Sequence, residues 1–594
     1  MKKTHFLQTL YLQKPLILII LIATLSSLPW IGLGDFYTKG EPREANLALY
    51  MINEGTWEAC VIPQGYADEI AYKPPLNHWL IASFSILFNN GEVTPFLSRL
   101  PSTLAFIGMI AACFMFYARR RPVLEAFVAC LIVITSFEIH RAAMTTRVDM
   151  LLTAFTVCGL LQLYVWWEKK KVIYLFASWI LLSFATLSKG PVGVLLPCVI
   201  FGLFLLLQKV NFFKATGKCL LVLIPSLIIP AIWYYAAYLV KGSSFLNIAF
   251  YENFGRFLGM QASEMGAGYE LGHEGPFWVY AGYLLSGFLP WTILLLISLF
   301  FIKYSKPKNG IYKWLRQLWS KMQNMDKPML FSLLVIIVTL VFYSIPGSKR
   351  SVYIMSVYPF IAIFIARFFI WLSDHKPMAI KISTTFLTTI GLLALAVVGL
   401  VGTGVLNIEN LSKRERTLHD IKIFSDLFHS PGLLGWICII LLLIAIVNSI
   451  YLLRKKMNLK ILMAGFGMML AINIFMDGFL LPAFKNAYSS QPFAKYISTK
   501  YNDLDGNTYV TNNLMKGYFN LYGLNFYLGN KFRNFETELP QQGYFVCGGK
   551  VADQIIDEYG DKYDFTLLEK SDRYNDLKDE MVLFRINKKE SSVN

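Results

Sequence analysis

Five separated stretches of this chain place ionisable side chains beside long apolar runs. The first reads Gly40-Glu41-Pro42-Arg43-Glu44 and continues as an amphipathic run to Glu54; the second is Tyr72-Lys73-Pro74-Pro75-Leu76. Arg147 and Asp149 open a further apolar run, Lys189 separates two more, and Lys349-Arg350 lies between another pair, with Tyr353 just beyond. Charges at a hydrocarbon edge are costly and face a polar cavity or one another. Several cations at one depth would neutralise a phosphate, and a carboxylate among them would remain to take a proton. Glu41 and Asp149 are the candidate bases. Arg43, Lys73, Lys189, Lys349 and Arg350 are the candidate phosphate ligands, Arg43 being suited to bidentate contact and the lysines acting as point charges. Tyr72, Tyr353 and Glu44 would orient a headgroup. The bland alternatives are a solvated charged rim, a local Arg147–Asp149 pair and an interfacial tyrosine belt. Glu41 ranks ahead of Asp149. If 41–51 is helical, Glu41 stands at the favourable end of the helix dipole, Pro42 suits the first helical position, and Glu41 and Glu44 share one face.

The elements that must carry these residues follow from composition. The 594 residues are 55% hydrophobic and 16% charged, with a mean hydropathy of +0.48. Soluble domains carry about 25% charged residues, so this chain is an integral membrane protein. Its formal charge of +17 fits basic loops held on one side of a membrane and not nucleic-acid binding, for which no soluble basic module is present. Apolar segments near spanning length occur at about 15–33, 97–117, 123–138, 147–166, 173–188, 191–208, 218–239, 277–302, 329–345, 352–373, 379–405, 433–453 and 459–481. A shorter one, 76–89, lies on the membrane surface if every basic cluster is to share the side of Lys2, Lys3 and Lys14. Thirteen spans result, with 34–96, 139–146, 240–276, 346–351, 406–432 and the tail from 482 on the opposite, outer side. The tail reads as a small α/β domain: strand-like 508–511, 544–547 and 581–586 alternate with helix-like 493–501 and 551–559. The eight cysteines show no CxxC pair; only Cys60 and Cys547 fall in polar segments, where a disulfide between them has no support from spacing.

The order of these features resembles the GT-C glycosyltransferases of the protein O-mannosyltransferase and lipid A 4-amino-4-deoxy-L-arabinose transferase group. The resemblance is carried by Glu41-Pro42-Arg43-Glu44-Ala45 after the first span, Lys73-Pro74-Pro75-Leu76, Arg147-Val148-Asp149-Met150, Ser188-Lys189-Gly190-Pro191, His273-Glu274-Gly275-Pro276-Phe277-Trp278, Leu289-Pro290-Trp291 and Gly347-Ser348-Lys349-Arg350 with Tyr358-Pro359. It covers residues 1 to about 480. It implies a GT-C fold with about thirteen transmembrane helices, juxtamembrane helices in the first outer loop and an outer C-terminal domain. The activity implied is transfer of a sugar from a polyprenyl-phosphate donor to an acceptor, with inversion. Relatives carry an Asp-Glu pair where this chain has Gly40-Glu41, so the base or acceptor-orienting role passes to Glu41 alone. They carry Glu where this chain has Tyr72, which weakens a metal site. His273 would be the lone ligand for a divalent metal, against about four in a closed zinc site, and no other cofactor is implied.

The expectation is therefore a polytopic α-helical membrane glycosyltransferase, residues 1–481, with a soluble periplasmic α/β domain, 482–594. It would sit in a bacterial inner membrane, use an undecaprenyl-phosphate-linked sugar, and act on lipid A, a glycan or a protein at the periplasmic face. The rivals are a transporter or flippase of lipid-linked sugars, which would show related halves, and an O-antigen ligase-like enzyme, whose catalytic loop would lie late in the chain.

Overall fold

The computed structural model describes residues 2–255, 274–302, 320, 324–408, 412–455, 457–511, 521–572 and 579–589. In hydrocarbon every backbone N–H and C=O must be satisfied internally, which leaves the apolar runs of this chain no choice but helix. The first eleven helices are α1 (Lys2–Ser27), α2 (Gly40–Glu54), α3 (Trp57–Val61), α4 (Leu76–Asn89), α5 (Pro95–Ala118), α6 (Val123–Thr135), α7 (Phe137–Ala143), α8 (Val148–Lys169), α9 (Val172–Lys189), α10 (Val192–Leu207) and α11 (Phe212–Phe250). Among the described residues nine helices are long and apolar enough to cross a membrane, or eleven if each of two bent pairs counts as one span. The expected thirteen is reached only by adding the shorter apolar helices Gln13–Ser27 and Val192–Leu207. Helix α4 has 14 residues, about 21 Å at 1.5 Å per residue. That is short of the ~30 Å hydrocarbon core, and α4 packs on α2 and α5 instead.

Helices α8 and α9 form an antiparallel hairpin, turned by Lys170 in the left-handed conformation. Gly159 permits their close approach, since a Cβ there would meet Leu182 Cδ2 at 2.5 Å, the small-residue contact usual between membrane helices. The hairpin brings the first turn of α8 beside the last turn of α9, and so Asp149 beside Lys189.

Two expected spans are broken. The 123–138 segment bends by 68° at Ser136 and continues as α7, so 139–146 is not simply a loop. The 277–302 segment bends by 107° between Val279–Gly287 and Trp291–Leu299, where Pro290 offers no N–H. The breaks satisfy each other: Phe137 N–H donates to Leu289 C=O at 3.1 Å, and Trp291 Nε1–H to Thr135 Oγ1 at 2.9 Å. Two expected loops are also partly helical. Helix α11 runs on to Phe250 through a kink at Gly242, and Glu415–His429 is a helix.

After the helical run Asn458–Ala487 comes a five-stranded mixed sheet, in the order β2 (Arg533–Asn534), β1 (Thr508–Val510), β3 (Gln542–Gly548), β5 (Met581–Lys588), β4 (Tyr563–Lys570). Strands β1, β3 and β5 and the helices Gln491–Lys500 and Gly549–Tyr559 lie where the sequence places them. The edge strand β4 and the helix Tyr522–Tyr527 do not appear in that reading. Cys60 and Cys547 are both free thiols; Cys547 is buried in the sheet. The sheet unit stands at the same end of the bundle as α2. Asn46 Nδ2 of α2 donates to Tyr522 C=O at 3.0 Å, Asn530 Nδ2 donates to Asn46 C=O at 3.2 Å, and Phe36 packs edge-on against Phe526 at 5.0 Å.

The 22 residues of α8 separate this end from the Lys170 turn by about 33 Å. Single cysteines replacing Glu58, Asp505 and Lys170 in a cysteine-free background should therefore label with a membrane-impermeant reagent from two sides: Glu58 and Asp505 from one, Lys170 from the other. Labelling of positions 505 and 170 from the same side would contradict the bundle.

Candidate active site

Helix α2 lies across the end of the bundle and points two carboxylates in different directions. Glu41 is 1% exposed. Its Oε1 accepts from Arg99 Nε at 2.7 Å and from Thr146 N–H at 3.1 Å, and its Oε2 accepts from Arg99 Nη2 at 3.1 Å. The rest of the Arg99 guanidinium donates to the carbonyls of Ile31, Gly34 and Asp35 at 2.6–3.0 Å. Burial alone would raise the Glu41 pKa; Arg99, with Lys485 and the Thr146 N–H, outweighs burial and holds the carboxyl below its usual range. A carboxylate so enclosed has no free oxygen for a substrate and is a poor proton acceptor. The expectation that Glu41 is the leading base is thus corrected: it is an internal anchor. The helix also begins at Gly40, which puts Pro42 in its third position rather than its first.

Glu44, one turn on, is buried and turned toward α4. Its Oε2 meets His78 Nε2 at 2.7 Å and its Oε1 accepts from Lys73 Nζ at 3.1 Å. Burial pushes the Glu44 carboxyl up, but Lys73 and His78 together bring it well below the carboxylate range; the same contact raises Lys73 despite burial. Glu44 therefore orients Lys73. Arg43, the residue before Glu44, ion-pairs with Glu69, its guanidinium 5.8 Å from the Tyr72 ring centre. Burial opposes the charge of Arg43; Glu69 and Tyr72 more than offset it, and Arg43 stays a firm cation. Glu69 Oε2 in turn accepts from Tyr522 Oη at 2.6 Å.

Asp149 lies in the first turn of α8, where the helix dipole favours a negative charge. It pairs with Lys189 at the last turn of α9, presented by a turn in which Gly190 takes φ +104°. The Lys189 ammonium also lies 4.3 Å from the Tyr353 ring centre. Lys73 and Arg147 act electrostatically on Asp149. The Arg147 side chain makes no hydrogen bond or ion pair among the described residues and faces the Gly40 backbone, 3.8 Å from where a Cβ would stand, while its carbonyl accepts from Ser102 Oγ at 3.3 Å. Tyr353 also lines a small cavity of about 10 Å³, together with Leu152, Thr153, Thr156, Val192, Leu196, Tyr343 and Ser356.

Lys349 is only 4% exposed, and its ammonium donates to the carbonyls of Pro346 at 2.6 Å and Gly347 at 3.4 Å in its own turn. Arg350 is exposed beside it. His273 lies outside the described residues. Glu44 and His78 offer only two metal-type donors, and a lysine already holds Glu44; among the described residues no group of three metal-type side chains occurs. This donor set does not make a metal site. Arg99 and Glu69 are missing from the sequence reading. A single arginine within the apolar run 97–117 is the signal that would have found the first; no spacing singles out Glu69.

Residues 72–235 match the family described as dolichyl-phosphate-mannose-protein mannosyltransferase, a stretch that holds Lys73, Arg99, Asp149 and Lys189 but not the α2 motif. The chain is 26% identical over 378 residues to an uncharacterised protein of Aquifex aeolicus, covering 61% of this chain and 65% of that one. It is 22% identical over 389 residues to the undecaprenyl phosphate-alpha-4-amino-4-deoxy-L-arabinose arabinosyl transferase of Shewanella sediminis, covering 64% of each. The chain thus spans a little under two thirds of the length of these curated relatives. The crystal structure of ArnT from Cupriavidus metallidurans bound to undecaprenyl phosphate superposes with a TM-score of 0.67 at 17% identity, covering 96% of this chain and 97% of that one. The chain has the fold of that ArnT structure. Its apo counterpart superposes equally well, with a TM-score of 0.66. This fold keeps its C-terminal sheet unit against α2.

Removing the Glu41 charge leaves Arg99 buried and uncompensated, which costs about 3–5 kcal/mol. Glu41→Gln should accordingly lower the melting temperature of the detergent-solubilised protein sharply. Because its carboxyl is held low in the folded state, Glu41 stabilises the fold above the unfolded carboxylate value of ~4.3 and loses that contribution as pH falls below it. Acidification from pH 5 to 3 should therefore destabilise wild type more than Glu41→Gln. An unchanged melting temperature with lost activity would return Glu41 to the chemistry.

Proposed function

We propose that this chain is a membrane glycosyltransferase that takes a sugar from a polyprenyl-phosphate carrier, undecaprenyl phosphate in a bacterial inner membrane, and transfers it with inversion to lipid A, a glycan or a protein at the periplasmic face. The observation that carries the reading is one carboxylate, Asp149, paired with Lys189 and acted on electrostatically by Lys73 and Arg147, with Lys189 lying over the Tyr353 ring. A phosphate on a hydrocarbon tail needs cations of this kind at the membrane edge, where a fixed carboxylate can meet the acceptor. The likeness to a solved ArnT that binds undecaprenyl phosphate supports the same reading.

In the proposed reaction the acceptor oxygen attacks the anomeric carbon from the face opposite the phosphate. The new C–O bond forms as the bond from that carbon to the phosphate oxygen breaks, and the phosphate leaves with the electron pair. Developing charge on the leaving phosphate is taken up by Lys73 and Lys189, which are fixed before the reaction and so cost little reorganisation. Lys189 is shared between Asp149 and the Tyr353 ring, so a phosphate that draws it away exposes an Asp149 oxygen. That oxygen takes the proton of an acceptor hydroxyl, or simply orients an acceptor that arrives already anionic. Arg43 and Lys349 contribute positive charge, and Tyr353 walls the headgroup.

A transfer assay with purified protein and labelled undecaprenyl-phosphate sugars tests this. Lys73→Ala should weaken donor use by about ten- to a hundredfold, the worth of a charge-assisted hydrogen bond at roughly 1.5–3 kcal/mol. Asp149→Asn should cut turnover by at least the ~10²-fold of general-base loss. Wild-type turnover in both variants at limiting donor would refute the site.

A further inference from the structure

Among the described residues, the C-terminal sheet unit meets the site at helix Tyr522–Tyr527. That helix lies on α2, the Tyr522 side chain is 8% exposed, and its Oη donates to Glu69 Oε2 at 2.6 Å. The other oxygen of Glu69 holds Arg43. The turn that carries Glu69 is itself constrained from the same side. Tyr66 packs edge-on against Tyr522 at 5.3 Å and Phe532 at 5.9 Å, and Ala67, 1% exposed, is held at φ +46°, a left-handed conformation that alanine disfavours. Residues nearly 500 positions apart thus form one line: Tyr522 to Glu69 to Arg43 to the Tyr72 ring.

We propose that Tyr522 is a positioning residue for Arg43, so that the C-terminal unit sets the cation that meets the donor phosphate. This rests on the reading of Arg43 as a phosphate ligand. Glu69 has two oxygens and two jobs. With Tyr522 occupying Oε2, the carboxylate cannot rotate to chelate Arg43 through both oxygens, and Arg43 keeps donors free to meet phosphate. Without the hydroxyl, Glu69 swings onto Arg43 and competes with the ligand. The C-terminal unit therefore governs donor affinity, while Asp149 and Lys189, which it does not touch among the described residues, govern the chemical step.

The test is undecaprenyl phosphate binding to the full-length protein in detergent, with steady-state transfer as a second readout. Tyr522→Phe keeps the ring and its packing on Tyr66 and removes only the hydroxyl. It should weaken undecaprenyl phosphate binding and raise the donor KM by about fivefold, within the range of couplings in one hydrogen-bond network, at nearly unchanged kcat. In an Arg43→Ala background the same substitution should have no further effect on binding, which a loss of general packing would not produce. Glu69→Gln, which releases Arg43, should bind at least as tightly as wild type. Equal binding by wild type and Tyr522→Phe overturns the proposal, as does an unchanged penalty in the Arg43→Ala background. Failure of wild type itself to bind undecaprenyl phosphate overturns the functional reading, and the proposal with it.

Discussion

A guanidinium buried among apolar helices must have every N–H matched, and Arg99 is where this fold meets that demand. Its donors take both oxygens of Glu41 and the carbonyls of Ile31, Gly34 and Asp35. The turn leaving α1, the first turn of α2 and the body of α5 are thereby joined at one point. Thr146, three residues before Asp149, is tied to the same carboxylate. Such a pair is a weak source of net stability, because desolvation consumes most of its attraction, but breaking it is expensive. Its effect is geometric. With Glu41 fixed, Arg43 and Glu44 leave α2 on set sides, and Lys73 is drawn to Glu44.

Charge is distributed around that anchor in a consistent way. Arg43, Lys73, Lys189 and Arg99 each form an ion pair with a carboxylate, whereas Arg147 and Lys349 form none among the described residues, Arg147 acting on Asp149 only from a distance. The site keeps an excess of positive charge without leaving many cations bare in a low-dielectric region, where each unpaired charge is costly. Pairing also holds long side chains in place before a ligand arrives. A phosphate entering between Lys73 and Lys189 replaces one anionic partner by another, a smaller perturbation than inserting a charge among unpaired groups.

Much of this was legible in the sequence. Long apolar runs, basic clusters and short alternating strands mark the bundle, its two sides and the sheet, because hydrophobic length and period are local properties. Asp149 and Lys189 were legible as edge charges opening and closing neighbouring helices. The breaks at Ser136 and Pro290 were not, since hydropathy runs through both without change and their stability comes from one break bonding to the other. Nor was the function of Glu41. Its type and place before a helix suit a base equally well, and only Arg99, 58 residues away in sequence, makes it an anchor. Glu69 and Tyr522, far apart in the chain, meet only through the packing of the C-terminal unit on α2.

The central claim is that the cations around Asp149 form the phosphate site. A cryo-electron microscopy map of the full-length protein with undecaprenyl phosphate tests it most directly. The account predicts phosphate density within hydrogen-bonding distance of Lys73 and Lys189, with the first isoprene units lying against Leu196 and Tyr343. Density for the phosphate at the opposite end of the bundle, or at the membrane surface away from Asp149, would contradict it.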